Sequence, residues 1–434
     1  MARVRAFKGY TYARTSSDIS DLAAPPYDVI SDRQRATLLA RNAHNVVALE
    51  LPEGPLDPAA PGNRYETGRK RLQQWRDTGV LVRDHRPAIY VLEQRYEIDG
   101  REVRRRAFIA EVGLHAFEEG VVLPHERTLP KALGDRFNLT RACAANFSQV
   151  FGLYSDPGAV TDRYFEEAME GRVSMTATDA DGVVSNVWTL ADPDAIDALS
   201  RALEHKQVFI ADGHHRYTTA LAYRDERRSA DAAAGVTPVD PDYDYVMMAL
   251  VNMDDPNLIV LPTHRVADSR TSFDAQSVRA ALADAFELSD LAPSSASAEE
   301  ALASTDRPAF VAALRGADTP FLAALKPDAD LDALIPLDRS REWKSLDVAI
   351  LQELVLNPLF DIHPDRGETL DRLSFVKDTA DALAATEHHD AAFVLRATRM
   401  GQMRAVALAG ETMPQKSTYF YPKLLSGLVV RAMD

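Results

Sequence analysis

The chain has 434 residues, enough for two to four domains each with its own core, and its 46% hydrophobic and 26% charged residues are those of an ordinary folded protein. Its 49 Lys plus Arg against 65 Asp plus Glu give a net charge of −16, so no overall basic field exists to attract nucleic acid, and no apolar run reaches the roughly 18 residues of a membrane span. One cysteine, Cys143, excludes an internal disulfide and a thiolate metal cluster, and a basic start without an apolar stretch gives the expectation of a cytoplasmic protein with no secretory signal.

Near the start, "LAAPPYDVISDRQ" places Asp28 after two prolines, in a rigid loop, with Ser31 or Asp32 able to cap a following helix. The Pro-rich "LPEGPLDPAAPG" reads as an exposed loop, and "GNRYETGRKRLQQWRDTG" as a helix from its apolar residues at three-to-four spacing. "AIYVLEQRYEIDGREVRRRAFIAEVGL" predicts a hairpin about Asp99 and Gly100, because an Asp-Gly pair between two β-rich runs supplies the positive φ of a tight turn. "LPHERTLPKALGDRFNLTRACAANFSQVFGLYSD" then gathers His125, Glu126, Arg127, Lys131, Asp135 and Arg136, followed by Asn146 and Ser148. Pro124 and Pro130 put the His-Glu pair on a loop, and the two histidines four apart of a zinc protease are absent; a solvated charged face is the plain alternative.

Further strands are expected at "VFGLYSD", "SNVWTLAD", "QVFIAD", "YVMMALVNM" and "LIVLPTHRV", and further helices at "DPDAIDALSRALEH", "SFDAQSVRAALADAF" and "LDVAILQELVL". The segments at 229 to 242 and 291 to 300 read as exposed loops. Strands alternating with helices over short turns define a mixed α/β or α+β class, in three portions: 1–150, 151–290, and 291–434, the last returning to complete the structure.

The densest chemistry lies in "QVFIADGHHRYTTALAY". Asp212 falls at the carboxyl end of a strand, Gly213 in the turn, and His214, His215 and Arg216 on the first helical turn. That is the outline of an anion site, since free amide N–H groups and the helix dipole favour phosphate, glycine lets the backbone approach, and arginine adds a bidentate donor. Adjacent helical residues diverge by about 100°, so the two histidines are poorly placed to chelate one metal. The plain alternative makes Asp212 an N-cap and the histidines half-buried surface residues.

"LPTHRV" offers His264 and Arg265 after a strand, as substrate ligands or as satisfied strand-end residues. "GETMPQKSTYFYPKLLSGLV" nearly spells a phosphate loop, but Gln415 stands where the second glycine is needed and Pro414 lacks an N–H. Lys416, Ser417, Thr418 and Lys423 remain candidates for holding an anion presented by another part of the fold.

Together "APPYDVIS", "PHERT", "FIADGHHRY", "LVNMDDP", "LPTHR", "LDVAILQEL" and "MPQKSTYFYPKLLSG" resemble the domain of unknown function 1015 family over nearly the whole chain. "DGHHR" also resembles, more distantly, the phosphate-binding motif of the ParB/sulfiredoxin-like fold, which occurs in free-serine kinases, sulfiredoxins and nucleotide-gated DNA clamps. The resemblance implies a ParB/sulfiredoxin-like core within a larger mixed-sheet structure, with Gly213, His214 and Arg216 around nucleotide phosphates. A histidine stands where sulfiredoxin chemistry needs cysteine, whereas serine-kinase members carry a segment much like Asp212-Gly213-His214. It points to a phosphotransferase acting on serine or phosphoserine with ATP or ADP and Mg²⁺. In that expectation Asp212, His215, Glu126 and His125 are catalytic, Gly213, His214, Arg216, Lys416, Ser417 and Thr418 hold phosphates, and Asp28, His264 and Arg265 meet the substrate; the metal ligands are not assigned. The competing expectations are a nucleotide-binding module that gates a protein partner, and a metal-dependent hydrolase.

Overall fold

The long apolar alternation around Asp99 and Gly100 builds the spine of the larger of two main sheets. In the computed structural model, which describes residues 1–13, 17–126, 130–270, 272–363 and 367–433, the expected hairpin forms, with Asp99 and Gly100 at φ of 51° and 72°. Those left-handed angles are what a two-residue turn between twisted strands requires.

The chain divides into two compact units: Met1–Pro124, Thr128–Ile259 and Pro422–Asp434 form the first, and His125–Arg127 with Val260–Tyr421 the second. The sequence divisions at 150 and 290 fall inside the first and second unit respectively. The last residues return to the first unit, where the buried Arg431 donates to Glu111, to Asn146 Oδ1 at 3.1 Å and to the Tyr245 carbonyl at 3.1 Å.

The principal strands of the first unit are β1 (Val4–Arg5), β2 (Ile89–Ile98), β3 (Arg101–Gly113), β4 (Val122–Leu123), β5 (Val150–Tyr154), β6 (Met175–Thr178), β7 (Val184–Leu190), β8 (Val208–Asp212) and β9 (Tyr245–Asn252). They form one mixed sheet in the order β4-β8-β5-β9-β3-β2-β7-β6, with β1 pairing β3. β8 runs parallel to β4 and antiparallel to β5, while β9 runs parallel to β5. Its longer helices are α1 (Asp32–Arg41), α2 (Arg64–Asp77), α3 (Pro130–Cys143), α4 (Asp162–Met169), α5 (Pro193–Glu204) and α6 (His214–Ala233). Val150, Val208, Ile210, Leu250 and Tyr217 share one buried cluster, so the start of α6 is packed onto the strands that precede it.

The second unit carries β10 (His264–Ala267), β11 (Phe286–Asp290), β12 (Ala309–Leu314), β13 (Phe321–Leu325), β14 (Leu373–Val376) and β15 (Ala391–Val394) in one antiparallel sheet, order β11-β13-β12-β15-β10-β14. Helices α7 (Ala275–Leu282) and α8 (Ser295–Ala303) belong to the same unit. The molecule is therefore mixed α and β throughout.

Several local expectations need correction. "LIVLPTHRV" is not one strand, because Pro262 lacks an N–H for the ladder and separates Ile259–Leu261 from β10. The segment at 291 to 300 is not all loop: Ser294 accepts from the Ser297 amide and caps α8. α6 likewise continues to Ala233, into the segment read as a loop. "LDVAILQELVL" starts as a helix at Asp347 and widens to a π-helix over Gln352–Leu356. As expected, by contrast, Ser31 caps α1, in a reciprocal capping box with Gln34, and the turn that carries Asp28 is a 3-10 turn, Tyr27–Val29.

Candidate functional site

The strand-to-helix junction at the end of β8 forms as the sequence implies. The pairing of β8 with β5 shifts register between Ile210 and Asp212, an irregularity of the kind that re-aims a side chain at the end of a ladder. Gly213 follows at φ 88° and ψ 28°, and α6 begins at His214. A Cβ on Gly213 would lie 2.8 Å from Arg216 Nε, so glycine suits the left-handed backbone and lets that guanidinium approach. Tyr217 locks the first turn: its hydroxyl donates to the His115 carbonyl at 2.8 Å and accepts from the His115 amide at 2.9 Å.

Asp212 does not cap the helix in the usual way. Its Oδ1 accepts from the Gly213 amide at 2.7 Å, and its Oδ2 accepts from Lys423 Nζ at 3.0 Å. Arg216 Nη2 stands 4.0 Å from Asp212 Oδ1, and its Nη1 donates to the Gln149 carbonyl. Two cations thus flank one carboxylate at the amino end of a 20-residue helix, where the dipole also favours an anion. His214 is buried and His215 half-buried in the same turn. Lys423 comes from the returning chain end; the sequence grouped it with the "KST" segment, and only the fold assigns it to Asp212.

Behind Arg216 lies a cavity of about 40 Å³ whose lining includes Tyr27, Glu50, Arg136, Ser148, Arg216 and Thr219, all within the first unit. Arg136 Nη1 donates to the Glu50 carbonyl at 2.9 Å and lies 3.4 Å from Glu50 Oε2, its Nε and Nη2 engage Asp135, and its guanidinium sits 4.3 Å over the Tyr27 ring. Burial pushes the Tyr27 phenol up to about 12, against the pull of Arg216 and Arg136. Asp28 itself is exposed on the 3-10 turn; its neighbour Tyr27 reaches the cavity. Burial also drives Cys143 to about 12, as befits a packed thiol and not a nucleophile.

His125, Glu126, His264, Arg265, Lys416, Ser417 and Thr418 belong to the second unit. His125 is buried, its Nε2 bonded to Thr418 Oγ1 at 2.9 Å, and its carbonyl accepts from the Met413 amide at 2.8 Å. Glu126 forms a bridge with Met413, and its Oε1 is 3.9 Å from His125 Nε2. Arg265 donates to the Thr263 carbonyl and, at 3.0 Å each, to those of Gln415 and Lys416. Ser417 donates to the Pro414 carbonyl, Thr398 donates to the Ser417 carbonyl at 2.7 Å, and Lys416 holds a φ of 55° with its side chain exposed. In this unit His125 and Arg265 therefore hold the turn that carries Ser417 and Thr418. His264 is buried with Nδ1 accepting from the Leu395 amide at 3.2 Å and Nε2 3.3 Å from Thr379 Oγ1. Arg127 lies outside the described residues, as does the side chain of Lys131.

Sequence reasoning missed Glu50 and Thr219 as lining groups. "NVVALELPEG" gives Glu50 no motif, and Thr219 becomes visible only as the residue one helical turn beyond His215. Among the described residues no three His, Cys, Asp or Glu side chains gather as a metal site, and no helix is long and apolar enough to cross a membrane.

The chain belongs to the family described as protein of unknown function, DUF1015, whose profile matches residues 4–349. Comparison with curated proteins finds no match. Among solved structures, a conserved hypothetical protein from Pyrococcus furiosus is similar at 14% identity and a TM-score of 0.33, covering 70% of this chain and 89% of that one. A free serine kinase in complex with AMP gives 12% identity, 69% and 83% coverage and a TM-score of 0.32. SbnI with a C-terminal truncation, from Staphylococcus aureus, gives 10%, 70% and 82%, and 0.33. Superpositions this loose assign no role to any residue here.

Proposed function

We propose that the first unit binds a nucleotide at the Gly213 turn and transfers phosphate to or from a small hydroxy amino acid, serine or phosphoserine. The observation that supports this reading is the pairing of Lys423 and Arg216 about Asp212 at a left-handed glycine that opens a long helix. Phosphoryl transfer needs positioning and charge neutralisation more than covalent chemistry from the protein. In the forward direction the serine hydroxyl oxygen attacks the terminal phosphorus, the bond to the nucleotide oxygen breaks, and the hydroxyl proton passes to Asp212 or His215. Arg216, Lys423 and the first amides of α6 hold the phosphate oxygens.

Mg²⁺ fits this arrangement as a companion of the phosphates. Such ions are held by one or two carboxylates together with phosphate oxygens and water; Asp212 would supply such a carboxylate at the turn, and the hydroxyl proton then falls to His215. The ion would neutralise charge on the phosphates; orienting the acceptor and taking its proton fall to the chain's own groups.

The test is to incubate the protein with serine, Mg²⁺ and ATP or ADP, and separately with phosphoserine, and to follow phosphoserine by mass spectrometry. Formation or consumption of phosphoserine that depends on Arg216 supports the reading. Nucleotide binding with no turnover in either direction would leave a nucleotide-binding module in its place.

A further inference from the structure

The cavity behind Arg216 has a chemistry that the phosphate turn does not use. At about 40 Å³ it exceeds the roughly 10–15 Å³ that one water needs, which is room for the charged head of a small ligand. Glu50 and Arg136 have side chains each only 5% exposed, and Ser148 and Thr219 are buried, whereas Tyr27 and Arg216 are part-exposed. Three atoms of this lining are closed to solvent and have no hydrogen-bond partner among the described residues: Glu50 Oε1, Thr219 Oγ1 and Arg216 Nε. One is an anionic acceptor, one a hydroxyl, and one a cationic donor.

Resting on the functional reading above, we propose that this cavity is the acceptor subsite and that it recognises the zwitterionic head of a small α-amino acid. The ammonium goes to Glu50 and the Thr219 hydroxyl oxygen, and the carboxylate to Arg216 at the part-exposed edge. An inorganic anion would meet the Glu50 carboxylate, and a simple amine would leave Arg216 without an acceptor; an α-amino acid carries both charges on one carbon and matches both. Arg136 is the poorer partner for the carboxylate, because its Nε and Nη2 already donate to Asp135 and its Nη1 to Glu50. Arg216 touches both places: it lines the cavity and stands 4.0 Å from Asp212 at the turn, so an amino acid held there would present its hydroxyl beside the phosphate site.

The experiment is calorimetric titration of the full chain with L-serine, with 3-hydroxypropionate, which lacks the ammonium, and with ethanolamine, which lacks the carboxylate, each with and without ADP. Serine is expected to bind at least tenfold more tightly than either analogue. Glu50→Gln should weaken serine at least tenfold, while leaving 3-hydroxypropionate and ADP within twofold of wild type. Thr219→Val, which changes no charge, should weaken serine severalfold and serves if Glu50→Gln does not fold. Serine affinity unaltered by the variant that folds, or no serine binding to the wild type under either condition, would overturn the proposal and leave the cavity to water. Serine binding that follows this pattern without phosphoserine formation would instead sink the phosphotransferase reading and keep the subsite.

Discussion

Arg216 and Arg265 each follow a histidine, and each is placed by a strand of its own unit, but the two guanidinium groups meet different surroundings. Arg265 lies within β10, fully buried, with its donors given to the carbonyls of Thr263, Gln415 and Lys416, and burial lowers it to about 10. Arg216 lies one turn beyond a left-handed glycine, spends Nη1 on one carbonyl, and has no hydrogen-bond partner for Nε among the described residues. The sequence wrote "GHHR" and "LPTHR" with the same residue types. Backbone geometry separates them: a strand directs an arginine into carbonyls that fix a turn, whereas a glycine-opened helix start leaves donors for a ligand.

The contrast is broken most forcefully at Asp212. Asp212→Asn keeps the acceptor for the Gly213 amide but removes the charge, and turnover should fall by roughly 10²–10⁴ with nucleotide affinity within a few fold, the range for a positioned acid–base group. Steady-state kinetics beside a nucleotide titration checks it; wild-type turnover would remove Asp212 from the mechanism. Next comes Gly213→Val, whose Cβ would meet Arg216 Nε at 2.8 Å on a φ of 88°. Nucleotide affinity should fall about tenfold or more while far-ultraviolet circular dichroism stays that of the wild type.

On the other side of the comparison the expected effects are on stability. The His264 network assigns the proton to Nε2, since Nδ1 accepts an amide and the Thr379 hydroxyl is given to Glu299. Burial, aided by Arg265, lowers His264 from 6.5 to about 4. The unfolded chain then binds the proton more readily, so this contribution to stability is complete above about pH 6.5 and is lost as the pH falls towards 4. Denaturant unfolding across that window should show a shallower slope in His264→Gln. Smallest is Lys416→Gly, which relieves a φ of 55° and should stabilise by about 1 kcal/mol without altering nucleotide binding.

Local structure was the legible part. The Asp99-Gly100 hairpin, the capping of α1 by Ser31 and the strand, turn and helix of "IADGHHRY" all follow from short-range chemistry, because turn angles and caps are decided within a few residues. The partners of those residues were not legible. Lys423 reaches Asp212 across 211 positions, and Glu50 meets Arg136 across 86, and neither pairing leaves a periodicity or motif in the sequence. Pro262 breaks the strand although the run on either side of it is apolar, because a missing N–H outweighs hydrophobic pattern in a ladder.

The most direct measurement is an ADP titration of Arg216→Ala and Arg265→Met against the wild type in one buffer. Loss of a charge-assisted pair costs roughly 1.5–3 kcal/mol, so Arg216→Ala should weaken ADP by about 10- to 100-fold. Arg265→Met should lower the unfolding midpoint and leave ADP affinity within twofold. The reverse pattern, with ADP binding indifferent to Arg216 and lost with Arg265, would contradict the assignment of the nucleotide site to the Gly213 turn.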